Sequence, residues 1–112
     1  MDIIFKNQKF QKIVNTQKLL VQEHGDRQAQ RIRRRLDELR AAATLEDLRH
    51  LPQARCHELT GDRRGQLSLD LVHPYRLIIE PAHEPVPRKA DGGLDWSHVT
   101  AVLVLGVEDT HD

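Results

Sequence analysis

The first half of the chain carries apolar residues at helical spacing. After a short apolar segment at residues 3–5, the helical pattern starts at Asn7, and Asn15-Thr16 are positioned to cap a second helix. Gly25 interrupts the pattern, and Asp26 is positioned to cap the next helix. The clearest amphipathic stripe then consists of Ala29, Ile32, Leu36, Leu39 and Ala43. The pattern predicts a short strand followed by two to three helices.

The second half changes to an alternation of period two. Apolar and polar side chains alternate through residues 67–71 and again through residues 75–80, as half-buried strands do. Residues 99–107 are apolar at both odd and even positions, which predicts a central strand. Residues 81–98 are rich in Pro and Gly and predict a long loop between two neighbours in the sheet. The two halves together predict an α+β fold, with the helices packed on a small antiparallel sheet.

Composition narrows the class of protein. A chain of 112 residues with 38% hydrophobic and 30% charged residues suits one globular domain over residues 1–112. No apolar run approaches the roughly 20 residues that a membrane-spanning helix needs, and Met1-Asp2 do not begin a signal peptide. The single cysteine, Cys56, excludes an internal disulfide and a cysteine-rich zinc site. We therefore expect a cytoplasmic protein that makes no membrane contact.

The positive and negative charges are distributed unevenly along the chain. The formal net charge is zero, but residues 1–64 hold 14 Lys/Arg against 9 Asp/Glu, which gives +5. Residues 65–112 hold 3 against 8, which gives −5. This asymmetry permits a basic face on a neutral protein. The alternative is a solvated helix surface, which we favour for Arg33 and Arg40.

Three arginines are candidates for binding phosphate. Arg76 alternates away from its apolar neighbours, although a cross-strand ion pair with Asp70 is the structural alternative. Arg63 and Arg64 occupy a predicted turn between two glycines, where guanidinium groups and backbone amides can clamp an anion. A solvated turn is the alternative for that pair.

Candidate acids and bases occur before and after these arginines. Asp109 and His111 are separated by one residue, so an extended segment would place a carboxylate beside an imidazole. A polar C-terminus without a role is the alternative. His57 is a second candidate, with a partly buried strand histidine as its alternative. We expect Trp96 to anchor the long loop.

Histidine spacing gives no sign of a metal site. The seven histidines show no HxH or HxxxH pattern, and His50 and His57 are separated by Pro52. We expect neither a metal nor another cofactor.

Three segments together resemble a known family. They are Gly-Asp-Arg-Arg-Gly-Gln-x-Ser-Leu at 61–69, Tyr-Arg-Leu-Ile at 75–78 and Glu-Asp-x-His at 108–111. In sequence and order they resemble the HigB branch of the RelE/ParE toxins of bacterial toxin–antitoxin pairs. The resemblance implies a RelE/ParE-like fold and a ribosome-dependent mRNA endonuclease (an mRNA interferase). A HigA-like helix-turn-helix antitoxin would hold it inactive, and DNA would be contacted only through that complex.

The resemblance also implies roles for individual residues. Metal-free RNA cleavage needs proton transfer and positive charge on the phosphorane. The implied phosphate-binding residues are Arg63, Arg64 and Arg76, and the implied catalytic residues are His57, Asp109 and His111. Thr60 and Thr110 stand where the family often has Lys and Tyr, which predicts a slow nuclease.

Two other functions remain open at this stage. A ParE-like inhibitor of DNA gyrase would use the same fold without any chemistry of its own. The antidote member of such a pair would need a helix-turn-helix or ribbon with a basic recognition element, and the strand-rich second half does not favour one.

Overall fold

The structure is a computed structural model that describes residues 1–109. Its helices are α1 (Gln8–Val14) and α2 (Gln17–Ala41). Its strands are β1 (Asp2–Phe5), β2 (His57–Glu58), β3 (Leu67–Asp70), β4 (Tyr75–Pro81) and β5 (Ala101–Asp109). Three 3₁₀ turns lie at Leu45–His50, Gly61–Arg63 and Trp96–His98, and are called the first, second and third turn below. The expected α+β class is confirmed.

The sheet is mixed, which corrects the prediction of an antiparallel sheet. Its order is β1-β5-β4-β3-β2, and β1 runs parallel to β5 while the other neighbours are antiparallel. Two parallel strands need a long crossover connection between them. Here both helices and three strands separate β1 from β5 along the chain.

The helices follow the sequence pattern closely. The side chain of Asn7 accepts a hydrogen bond from the Phe10 amide at 3.0 Å and caps α1. Thr16 precedes α2 as its N-cap residue. Within α2, Gly25 has φ 81° and ψ 162°, a left-handed conformation that favours glycine and kinks the helix. The predicted break at Gly25 is thus present, although the helix resumes at once.

The core lies between α2 and one face of the sheet. Four residues of the predicted stripe and the alternate apolar residues of β3 and β4 are fully or almost fully buried in one cluster: Ala29, Ile32, Leu36, Leu39, Leu67, Leu69, Leu77 and Ile79. The fifth residue of the predicted stripe, Ala43, lies beyond the end of α2 and is exposed. Val102 and Val104 of β5 join the cluster, and β5 lies between β1 and β4, as a central strand should. Within residues 1–109, no helix combines the length and apolarity that crossing a bilayer requires.

Arg35 is buried inside this framework. Its side chain is on the core side of α2, and the residue is only 1% exposed. The guanidinium donates to the carbonyl oxygens of Asp70 and Gln53, both at 2.7 Å, and to Glu38 Oε1 at 2.9 Å. A buried guanidinium is tolerated because its hydrogen-bonding groups find such acceptors. Arg35 therefore ties α2 to the end of β3 and to the segment before β2.

Trp96 anchors the long loop, as predicted. The indole is buried, its Nε1 donates to Glu58 Oε2 at 3.0 Å, and the Arg49 guanidinium lies 3.8 Å from the ring centroid. These contacts fix the third turn against β2 and the first turn.

Candidate functional site

The sheet has a second face, directed away from the helices, and we call it the open face. Neighbouring strands align Asp70 with Arg76 and Arg76 with Glu108 in one row. The next row aligns His57 with Ser68. Because side chains alternate along each strand, both rows lie on the face opposite the core leucines. Polar and ionisable groups from four strands therefore share the open face.

Arg76 forms the cross-strand ion pair that was the alternative to a phosphate-binding role. Its Nε lies 3.6 Å from Asp70 Oδ1. Asp70 Oδ2 also accepts a hydrogen bond from Arg55 Nε at 2.9 Å, and this bond raises the pKa of Arg55. Asp70 thus pairs with two cations on the open face, but only Oδ2 accepts a hydrogen bond, and the buried Oδ1 has no hydrogen-bond partner within the described residues. A phosphate that binds Arg76 in place of Asp70 would leave the ion pair between Asp70 and Arg55 intact.

Arg63 reaches across the open face from the second turn. Its Nη2 donates to Glu108 Oε2 on β5 at 2.9 Å, which raises the pKa of Arg63. This contact crosses β3 and β4, which lie between β2 and β5. The Nε of Arg63 is buried and has no hydrogen-bond partner within the described residues. Because this Nε is buried, an additional acceptor reaches it only if the Arg63 side chain moves.

Arg64 lies apart from Arg63, although the two are adjacent in sequence. It lines a cavity of about 410 Å³ together with Glu58, Glu80, Glu84 and Arg88. Carboxylates outnumber guanidinium groups among these five residues. Arg63 contacts Glu108 on the open face while Arg64 lines this cavity, so the two arginines do not form a joint phosphate site in this structure.

The His57 ring is oriented by two contacts. Its Nδ1 lies 3.0 Å from the carbonyl oxygen of Arg55, which can only accept, so Nδ1 carries the proton. In the neutral ring Nε2 is then the basic nitrogen. Nε2 lies 3.4 Å from the hydroxyl oxygen of buried Ser68. His57 thus presents a potential general base on the open face.

A β-bulge determines which carboxylate of the last strand reaches the open face. Ile79 pairs with Val104 but Ile78 pairs with Gly106, so Leu105 is an extra residue in β5. Gly106 has φ 142°, which glycine adopts readily. The extra residue reverses the alternation of β5 beyond this point.

Regular alternation along β5 would place Asp109 on the open face and Glu108 on the core face. The bulge exchanges these two faces. Glu108 pairs with Arg76, whereas Asp109 pairs with Tyr75, one position further along, on the opposite face. The structure therefore does not bring Asp109 together with His57 and Arg76. His111 and Thr110 lie outside the described residues. The role of the last four residues in catalysis stays a prediction.

Sequence reasoning missed three residues of the open face: Arg55, Ser68 and Glu108. Ser68 was detectable, because it alternates with the apolar leucines of its strand. The position of Glu108 depends on the bulge, which the sequence does not indicate. Arg55 precedes β2 in an irregular segment and has φ 43°. Among the described residues, the ionisable groups placed on the open face are three guanidinium groups (Arg55, Arg63 and Arg76), one imidazole (His57) and three carboxylates (Asp70, Glu108 and, further along β4, Glu80).

The thiol of Cys56 adds no nucleophile. Burial raises its pKa to about 12, so it is protonated at neutral pH. Within residues 1–109, no three side chains of His, Cys, Asp or Glu are grouped to hold a metal ion.

Comparison with known proteins identifies no family for this chain. No protein-family model matches the chain, and no curated protein matches it.

Proposed function

We propose that this protein is a metal-independent endoribonuclease that cleaves mRNA on the ribosome and acts as the toxin of a bacterial toxin–antitoxin pair. The observation that carries the proposal is the presence of His57, Arg63 and Arg76 on one open face. An imidazole for proton transfer and guanidinium groups for phosphate are the components that metal-free RNA cleavage requires. The sequence resemblance to the HigB branch supports the same activity.

In the proposed reaction, His57 Nε2 takes the proton of a ribose 2′-hydroxyl. The 2′-oxygen forms a bond to phosphorus while the bond from phosphorus to the 5′-oxygen breaks. The products are a 2′,3′-cyclic phosphate and a 5′-hydroxyl, and the leaving oxygen gains a proton for which His111 is the candidate donor. Arg76 and Arg63 stabilise the charge that develops on the phosphorane.

The ion pairs of the open face fit a protein that depends on the ribosome. Asp70 and Glu108 neutralise Arg76 and Arg63 in the free protein, so free RNA must compete with two carboxylates. The ribosome would hold the mRNA in place and supply the affinity that the neutral chain lacks. A HigA-like helix-turn-helix antitoxin would suppress the activity in the cytoplasm.

The test is cleavage of a defined mRNA on purified programmed ribosomes, followed by primer extension and analysis of the 3′ ends. We expect new ends within coding codons that carry a cyclic phosphate. The His57→Ala variant should lose at least a hundredfold in rate. The control variant His50→Ala, altered at an exposed histidine of the first turn, should cleave at the wild-type rate.

A ParE-like inhibitor of DNA gyrase is the second candidate. One observation favours it: of the two proposed catalytic residues within residues 1–109, His57 lies on the open face and Asp109 does not. Intact mRNA together with DNA double-strand breaks in arrested cells would support this function and exclude the nuclease.

A further inference from the structure

The side of α2 that faces away from the sheet carries three arginines in one row, exposed Arg27 and Arg34 and half-buried Arg31, which we call the arginine stripe. Their spacing of four and three residues places them on one face of the helix. Together with Gln30 they line a shallow concavity of about 200 Å³. The concavity contains no carboxylate and no apolar side chain.

The three guanidinium groups of the stripe form no ion pair within the described part of the chain, although Arg34 also lines a second concavity beside Asp37 and Glu38. No ion pair or side-chain hydrogen bond involves Arg27, Arg31 or Arg34 there. The other arginines of α2 differ: Arg33 donates to Gln17 Oε1 at 2.7 Å, Arg35 pairs with Glu38 at 2.9 Å, and Arg40 lies 3.7 Å from Asp37. Like charges one turn apart repel each other, so an anionic ligand would relieve this repulsion.

The stripe lies far from the open face. At roughly 100° per residue, its centre is about 150° around α2 from the buried stripe of Ala29, Ile32, Leu36 and Leu39. The buried stripe packs on the core face of the sheet, and the open face is on the other side of that sheet. A ligand on the arginine stripe can therefore be bound while RNA occupies the open face.

We infer that the arginine stripe binds the phosphodiester backbone of a double-helical nucleic acid. Guanidinium groups bind phosphate in a bidentate manner and suit nucleic-acid backbones. Successive arginines of the stripe are separated by roughly 4.5 to 6 Å along the helix axis, so they form a line of charge rather than a single pocket. A protein partner would instead need aromatic or aliphatic anchors at the centre of the contact, and the concavity has none.

The ligand is RNA rather than DNA if the proposed function is correct, because that function places the protein on ribosomes. The contact would be independent of base sequence, since it involves phosphates. It would add affinity without taking part in the cleavage reaction.

The test compares two triple variants of the whole protein. The stripe variant is R27Q/R31Q/R34Q, and the control variant is K18Q/R33Q/R40Q, which removes the same number of positive charges from exposed positions of the same helix. Glutamine is a good helix former, so both variants should fold, which melting temperatures verify. Binding is measured by fluorescence anisotropy with a 20-base-pair RNA duplex over a range of salt concentrations, with the matching DNA duplex and a 20-residue polyglutamate as further probes.

We expect the stripe variant to bind the RNA duplex at least tenfold more weakly at low salt, and the control variant to change affinity less than twofold. The slope of log affinity against log salt should decrease by about two to three for the stripe variant. Equal losses in both variants would overturn the inference, and so would stripe-dependent binding of polyglutamate or DNA without binding of RNA. Stripe-dependent binding of RNA by a protein that cleaves no mRNA would uphold this inference and refute the nuclease.

Discussion

The side-chain amide of Gln28 pairs with the peptide groups of Val72. Gln28 Oε1 accepts from the Val72 amide at 2.8 Å, and Gln28 Nε2 donates to the Val72 carbonyl at 3.3 Å. Val72 lies in the turn between β3 and β4, next to the strand positions that hold Asp70 and Arg76. The helix thus sets the geometry of the turn that positions two residues of the open face.

Replacing Gln28 should destabilise the protein. The Gln28→Ala variant leaves both polar groups of Val72 without their side-chain partner, at a cost of about 1–3 kcal/mol in the free energy of unfolding. Urea denaturation measures this loss. The Gln30→Ala variant, two positions away on the exposed side of α2, should stay within about 0.5 kcal/mol of wild type. Alanine is a better helix former than glutamine, so helix propensity cannot explain a loss. An equal change in both variants would show that the Val72 contact contributes nothing specific to stability.

The Arg76→Ala variant should lose cleavage activity while its stability changes little. Removing a preorganised positive charge from the phosphate costs roughly 2.7–4 kcal/mol of transition-state stabilisation, a hundredfold or more in cleavage rate. The ion pair with Asp70 is partly exposed and Asp70 keeps Arg55, so the loss of stability should stay below about 1 kcal/mol. Single-turnover cleavage on ribosomes and thermal unfolding measure the two quantities. A steep fall in melting temperature together with lost cleavage would assign Arg76 a structural role.

Glu108 and Asp109 offer a matched pair, because each substitution removes one negative charge from adjacent positions. The Glu108→Gln variant releases Arg63 from its carboxylate, so we expect a several-fold lower KM for ribosome-bound mRNA. The Asp109→Asn variant changes the opposite face of the sheet and should leave KM within twofold of wild type. A loss of kcat confined to Asp109→Asn would instead restore the catalytic role that the sequence predicted for Asp109.

His24 should make stability depend on pH. Its ring packs edge-on against Phe10, with centroids 6.4 Å apart, and burial lowers its pKa against the opposing effect of Glu23. The unfolded chain therefore takes up a proton below about pH 6.5, while the folded protein resists it until a lower pH. Stability contributed by neutral His24 is fully present above pH 6.5 and is lost as pH falls below that value.

The His24→Gln variant should accordingly lose less stability than wild type between pH 7.5 and pH 5.5. Urea denaturation at the two pH values measures the difference. The His50→Gln variant reports the effect of losing an exposed imidazole. An identical pH dependence for wild type and His24→Gln would contradict a depressed pKa at this site.

The helices, four of the five strands and most of the core were predictable because their signals are local, whereas the two-residue strand β2 has no such signal. The spacing of Ile32, Leu36 and Leu39 indicates one helical face whatever the tertiary structure. The direction of β1 was not predictable, because alternation at Ile3 and Phe5 is the same in a parallel and an antiparallel pair. That direction is set by the path of the chain between β1 and β5.

The open face was predictable only in part. His57 and Arg76 were named from the sequence, and both lie on it. The burial of Arg35, by contrast, was not predicted, because the sequence does not show that the carbonyl groups of Gln53 and Asp70 accept hydrogen bonds from its guanidinium. Leu105 is likewise an ordinary apolar residue in the sequence, yet as the extra residue of a bulge it decides which carboxylate faces Arg76.

The central position of β5 bears on how the chain folds during synthesis. Both β1 and β4 use β5 as a neighbour, so the first four strands made cannot form the complete sheet. The pairing of Asp2 with Ala101 joins residues separated by nearly the whole chain, a contact of the kind that slows folding. While residues 101–109 are still inside the ribosome, the edge of β4 that pairs with β5 is unpaired. The ion pair between Glu108 and Arg63 has not formed either. The nascent protein therefore assembles its open face only after residues 101–109 have left the ribosome.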